Sequence, residues 1–297
     1  MTAEQSAGSG RNESVVFDPD DQTARRAKLA ASVDRPSAAR IYDYFIGGEH
    51  NFAIDRQFAE GLRANIPKIG EYARECRLFM GRAVAYAAEQ GHTQFVDIGS
   101  GLPTAGSVHE IADKVRASHD SHVVYIDNEP IAFAHAELLL DDLADADRHR
   151  AVYADMLDPL NLWQQVADTG VIDMNRPIVL LVSAVLHFIK DEADPDDALA
   201  FYRDRLPAGS LLVLSQMSDE NPRDADEEAA LRQLEEFYER TTNPGQLRTR
   251  EEFVRFFGDF ELVEPGLVWA PDWHPDGTSL FAQGSQSRII AGVGRKR

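Results

Sequence analysis

An α/β fold built on a doubly wound, mostly parallel sheet is the architecture this sequence predicts, on three observations. A short apolar strand, Phe95-Val96-Asp97-Ile98, runs straight into a glycine turn, Gly99-Ser100-Gly101, ahead of a helical stretch. Strand and helix patterns then alternate toward the C-terminus, as a doubly wound sheet demands. Three consecutive strand ends carry a carboxylate, Asp97, Asp127 and Asp155. Open α/β sheets bind their ligands at the carboxyl ends of the strands, so three acids there are hard to explain as unrelated helix caps.

The elements follow in order. Residues 1–33 are rich in Ser, Gly, Asp and Ala without sustained periodicity and read as a flexible tail. A helical region fills 34–90. Within it Ile54, Phe58, Leu62 and Ile66 make one apolar face, and Tyr72, Cys76, Phe79, Met80, Ala83 and Ala87 a longer one. Ahead of both, a short helix carrying Tyr42, Asp43 and Tyr44 stops at Gly47-Gly48, and Asn51 suits a left-handed turn before the next helix. This segment reads either as a helix hairpin packed on the sheet or as a lid that excludes water. In the second reading Tyr42, Tyr44, Gly47 and Asn51 line a substrate pocket. The ligand-binding α/β domain spans 91–297. Its predicted helices cover 105–117, 130–143, 159–168, 195–206, 225–240 and 249–257. Strands are predicted over 122–126, 152–155, 178–184 and 211–216, with strand-like segments at 260–269 and 287–293.

The glycine turn discriminates among ligands. A dinucleotide loop needs a third glycine where Thr104 stands, and a phosphate loop needs a lysine that does not come before Lys114. Asp97 would repel a pyrophosphate but suits a cationic group. Asp127, closing the second strand, stands where such folds bind ribose hydroxyls, or else caps the helix that starts at Pro130. Asp155 can accept a hydrogen bond from an adenine amino group.

Composition bounds the partners. The 297 residues carry a formal net charge of −20 and are 43% hydrophobic, which suits a real core and argues against a nucleic-acid footprint. The longest apolar run, 178–189, is broken by Ser183 and His187 and reads as a buried strand and helix start, not a membrane span. Met1 to Glu13 is polar and small, unlike a secretory leader, so a cytoplasmic protein is expected. The single cysteine, Cys76, excludes an internal disulfide, and no residue pair has metal-ligand spacing. Oligomeric state is not written in the sequence.

Three segments together resemble a known family: R-P-S-A-A-R-I-Y-D-Y-F-I-G-G-E-H-N-F from Arg35, F-V-D-I-G-S-G-L-P-T from Phe95, and V-V-Y-I-D-N-E-P-I from Val123. Their order and spacing are similar to an actinobacterial family of S-adenosylmethionine (SAM)-dependent methyltransferases, long catalogued as a domain of unknown function. The likeness runs from about Asp34 to the C-terminus. It implies a Rossmann-like class I methyltransferase fold, with a seven-stranded, mostly parallel sheet whose last strand is antiparallel, and SAM as cofactor. By position, the resemblance puts Asp97, Gly99, Ser100 and Gly101 around the methionine part, with loop N–H groups and the next helix N-terminus on its carboxylate. It puts Asp127 on the ribose, Asn128 beside the adenine, Asp155 and Met156 on the adenine edge and face, and Ser183 and Ala184 near the transferred methyl.

His187 follows the fourth strand, where small-molecule methyltransferases often carry a Leu-His pair. It reads as a catalytic base or orienting group, or more plainly as a helix-start histidine bonded to a backbone carbonyl. Gln216, Trp269, Trp273 and His274 are further pocket candidates, and packing is the alternative for the last three. Two functions stay open: methyl transfer to a small-molecule acceptor, or a SAM-binding regulator without turnover.

Overall fold

The computed structural model describes residues 33–102, 106–142, 145, 147–239, 241 and 243–297. The tail before Val33, Pro103 and Thr104 of the glycine segment, and the predicted helix ends Leu143 and Arg240 lie outside the described residues.

Three helices come first: α1 (Ala38–Ile46), α2 (Ala53–Asn65) and α3 (Ile69–Glu89). The sheet strands are β1 (Gln94–Ile98), β2 (His122–Asp127), β3 (His149–Tyr153), β4 (Val179–Ser183), β5 (Leu211–Met217), β6 (Glu261–Leu262), β7 (Val268–Trp269) and β8 (Ile289–Arg295). Between them run α4 (Val108–Val115), α5 (Pro130–Asp142), α6 (Pro159–Asp168), α7 (Pro195–Arg205), α8 (Ala225–Tyr238) and α9 (Arg250–Phe253).

The central strands are apolar on both faces because both are covered. Phe95, Val123, Tyr125, Val179, Leu181, Leu211 and Val213 pack with α1–α4 and α8 on one side. Their alternate neighbours Val96, Val124, Ile126, Leu180, Val182, Leu212 and Leu214 pack with α6, α7 and Phe253, Phe256 and Phe257 on the other. Helices α1–α3 thus share one core with the sheet.

The strand order is β3-β2-β1-β4-β5-β8-β6, with β7 also on β8. Pairing is parallel from β3 to β5, and β8 runs antiparallel to its neighbours. Among the described residues the sheet therefore has eight strands where seven were expected. The difference is one edge strand broken in two. Glu261 and Leu262 pair with Arg295 and Gly294, and Val268 and Trp269 with Ala291 and Ile290. Between them Pro265 offers no N–H, and Gly266 turns back to bond Val263. The helix predicted over 105–117 is shorter, starting at Val108, where Ser107 and Glu110 form a capping box. Among the described residues no helix is long and apolar enough to cross a membrane.

A buried ion cluster ties the N-terminal helices to the sheet. Arg40, wholly buried in α1, donates to Asp55 Oδ2 of α2 and to Glu129 Oε1 beyond β2, both at 2.7 Å. Asp55 Oδ1 and Oδ2 also accept from the Ser37 and Phe52 amides. The α2 stripe predicted from Ile54, Phe58, Leu62 and Ile66 is accordingly shifted: Asp55, Ala59, Leu62 and Ile66 are buried, and Ile54 and Phe58 only half-buried.

Candidate active site

The chain crosses from β1 to β2 on one side and to β4 on the other, which opens a crevice at the strands' carboxyl ends. There lies a cavity of about 660 Å³, within the usual range for a small-molecule site. Asp97, Gly99, Ser100, Gly101, Asp127, Asn128, Asp155, Met156, Ser183 and Ala184 all line it. So do residues that the sequence reading did not pick out, including Ser37 and Ala38 of the α1 entry, Arg77 and Met80 of α3, and Glu129.

The glycine turn is held from within. The Gly99 and Ser100 amides donate to Ile126 O at 2.8 and 3.0 Å, and the Gly101 amide donates to Asp127 Oδ2 at 2.8 Å. Gly99 has φ +70, and a Cβ there would fall 2.3 Å from Val185 Cγ2; Gly101 has φ +65, and its missing Cβ would point into open space. These three amides are thus engaged within the turn itself. Helix α4 starts at Val108, and the Gly106 and Ser107 amides donate to Glu110 Oε2.

Each acid has a distinct environment. Asp127 accepts from the Gly101 amide on Oδ2 and from the Glu129 amide on Oδ1 at 2.8 Å. It shapes the turn, and Glu129, not Asp127, caps α5 by accepting from the Ala132 amide at 2.7 Å. Burial pushes the Asp127 carboxyl up to about 6, opposed by those two amides. Asp155 accepts from Asn128 Nδ2 at 3.1 Å and from the Leu157 amide at 3.0 Å, bracing one cavity edge. Asp97 differs: it is buried, and no group among the described residues hydrogen-bonds its carboxylate. Burial pushes it up to about 7, with Arg77 opposing and Asp127 reinforcing.

A smaller chamber of about 50 Å³ adjoins the cavity and shares Ala38, Tyr42, Ala184 and Phe188 with it. Its other walls are apolar and aromatic, from Phe45, Tyr72, Cys76, Met217, Leu234 and Tyr238 among others. Ala184 sits at the junction with φ 59, a left-handed conformation rare for a residue with a Cβ. Cys76 Sγ lies 3.1 Å from Ser215 Oγ, which in turn lies 2.8 Å from Ser183 Oγ. Burial pushes the thiol up to about 11, leaving it a packing group rather than a nucleophile.

His187 lines this chamber with Nδ1 turned to a backbone amide. The Met217 amide donates to its Nδ1 at 3.4 Å, so the ring proton stays on Nε2. Burial pushes its pKa down to about 3, helped by Arg248. A neutral imidazole in this tautomer donates a hydrogen bond and accepts no proton at its free nitrogen. Its backbone partner is an amide, not the expected carbonyl. Arg248, 1% exposed, fixes this segment by donating to Leu186 O, Ile189 O and Asp191 Oδ1.

Of the remaining pocket candidates, Tyr42 alone lines these walls. Tyr42 lines the chambers, its hydroxyl donating to Ala73 O at 3.1 Å. Tyr44 turns outward and donates to Glu60 Oε1 at 2.6 Å. Gly47 is the left-handed cap of α1. The Asn51 amide is spent on Asp43 Oδ2 and Gly48 O, and the residue is not left-handed. Gln216 is buried against Arg248. Trp273 packs edge-on against Phe79 and Tyr86; Trp269 lies beside Arg250 and Arg288. His274 is exposed and bonds Glu264 O. Among the described residues no group of acids, histidines and cysteine could hold a metal.

The residues present fit SAM. An unpartnered buried carboxylate calls for a cation, and the cofactor's ammonium supplies one. Arg77 lines the same cavity and acts electrostatically on Asp97.

Comparison with known proteins agrees. The model of the S-adenosyl methyltransferase family matches residues 23–297. A DUF574-family protein of Streptomyces avermitilis is 35% identical, with a TM-score of 0.80, over 89% of this chain and 98% of that one. A candidate methyltransferase of Thermobifida fusca is 34% identical, with a TM-score of 0.79, over 96% of this chain and 100% of that one. Among proteins of curated function none matches. The family match over nearly the whole chain, on a sheet whose switch point opens this cavity, establishes that the chain belongs to the S-adenosyl methyltransferase family and is a SAM-dependent methyltransferase.

Proposed function

We propose that the methyl acceptor is a small molecule whose reacting end enters the apolar chamber beneath α1, with SAM in the larger cavity. The observation that carries this is the junction: Ala38, Tyr42, Ala184 and Phe188 belong to both walls. Bound SAM supplies a sulfonium methyl, an electrophile that needs an aligned nucleophile and dry surroundings. Alignment can account for roughly 7–11 kcal/mol of barrier lowering. Helix α1 and residues 243–244 roof the cavity and exclude water, the role of a lid. Asp97 holds the ammonium of the methionine part. Asp127 orders the turn, with Gly101 leaving room beneath the ligand. Asn128, Asp155 and Met156 line the adenine end, and Ser183 and Ala184 flank the transferred methyl. His187 orients the acceptor through its Nε2–H.

The chamber is tested by filling it. Ala73 lines only the chamber, and Ala73→Leu adds three carbons where a single water needs roughly 10–15 Å³. Small fragments that bind the S-adenosylhomocysteine (SAH) complex by ligand-observed NMR should lose binding in this variant while SAH affinity is unchanged. Fragment binding that persists unaltered would place the acceptor elsewhere.

The cofactor pocket should also be pH-sensitive. Asp97, ordinarily at 3.8 and here about 7, must be ionised to hold an ammonium. SAM affinity should be full above pH 7 and fall toward tenfold per pH unit below it. Because the folded value is raised, the same group makes the ligand-free protein less stable as pH rises from about 4 to 7. Calorimetric titration between pH 6 and 8 checks the affinity trend; a flat profile would contradict the role of Asp97.

A further inference from the structure

Among the described residues, the chamber's only formally charged wall residue is Glu235, on α8. One carboxylate oxygen, Oε1, accepts from the Leu247 amide at 2.7 Å. The other is hydrogen-bonded by no group among the described residues. Leu247 and Gly245, from the segment after α8, complete the same wall. Among the described residues no arginine or lysine lines the chamber. The other polar walls cannot accept a proton readily. His187 is capped at Nδ1 by the Met217 amide, the Tyr42 hydroxyl is engaged with Ala73 O, and burial pushes Tyr72, Tyr238 and Cys76 upward.

A carboxylate fixed at one oxygen and open at the other, half-buried in the wall of an apolar chamber whose described lining holds no cation, selects by charge; Lys190, which feels Glu235 from outside that lining, is paired with Glu239. An anionic acceptor would meet repulsion and no partner, whereas a cation would gain a charge-assisted hydrogen bond in a low dielectric. We propose that Glu235 is the acceptor-recognition residue and that the acceptor carries a basic nitrogen, held by Glu235 Oε2 as its ammonium. This rests on the chamber being the acceptor site. For transfer, the nitrogen passes its proton to that carboxylate. Its freed lone pair forms the N–C bond to the methyl as the S–C bond breaks, with the S–C electrons left on sulfur.

Three probes of one shape and different charge test this on the full chain saturated with SAH: benzylamine, benzyl alcohol and benzoate. Titration should show benzylamine binding at least tenfold more tightly than benzyl alcohol, and benzoate not binding. Glu235→Gln should bring benzylamine to within about threefold of the alcohol while leaving SAH and alcohol affinities unchanged. The glutamine carbonyl can still accept from the Leu247 amide, so the wall should survive, and an unchanged melting temperature verifies that. Benzoate binding as well as benzylamine, or an amine preference that survives in Glu235→Gln, would overturn the assignment while leaving the chamber as acceptor site. Binding of none of the three would overturn it together with that reading of the chamber.

Discussion

Replacing Arg40 by methionine is expected to cost about 3–5 kcal/mol of folding stability, the usual loss when one partner of a buried ion pair is removed. Arg40 is wholly buried and joins Asp55 and Glu129, and the variant would take this cation from both buried carboxylates. Methionine fills much of the same space, so the loss reports the charges rather than a cavity. The effect should reach the cofactor. Glu129 lines the cavity and caps α5, and its amide donates to Asp127 Oδ1. Urea unfolding followed by circular dichroism measures the stability, and adding Asp55→Asn with Glu129→Gln should recover most of it. A loss below about 1 kcal/mol in the single variant would mean that the cluster does not hold α1 in place.

Asp97→Asn is expected to act in the opposite sense on stability and far more strongly on binding. Truncating one side of a buried, hydrogen-bonded charge pair costs about 2–5 kcal/mol, so SAM and SAH affinities should fall from about thirtyfold to several thousandfold. The ligand-free variant should be as stable as the parent or more so at pH 7, because a strained buried carboxylate has gone. Its SAM affinity should also lose the pH dependence below 7. A variant that binds normally but unfolds early would make Asp97 a structural acid and leave the ammonium without a partner.

The strand ends were legible in the sequence because a parallel sheet covered on both faces writes its central strands as short apolar runs, here ending in Asp97 and Asp127. The glycine turn was legible for the same reason, and all ten positions carried over from the family resemblance line one cavity. The lid residues were read only in part. Tyr42 and Tyr44 are two residues apart on one helix, about 200° around its axis, so both cannot face the same chamber. Tyr42 faces in, and Tyr44 reaches Glu60. Other features depend on partners far apart in sequence. The Arg40–Glu129 contact spans 89 positions and the Arg248–Leu186 contact 62, with no local periodicity to announce them. Glu235 carried no signal in the sequence, and only the packing of α8 beside 245–247 puts it in the chamber wall. The amide that meets His187 Nδ1, that of Met217 30 positions away, is likewise invisible to local sequence reading.

Calorimetric titration of the purified chain with SAM, SAH and NAD at pH 8, repeated with Asp97→Asn, tests the central claim most directly. The account predicts that both adenosyl compounds bind one to one, that NAD does not, and that Asp97→Asn weakens both by at least thirtyfold. Binding of NAD, or equal SAM affinity in parent and variant, would contradict it.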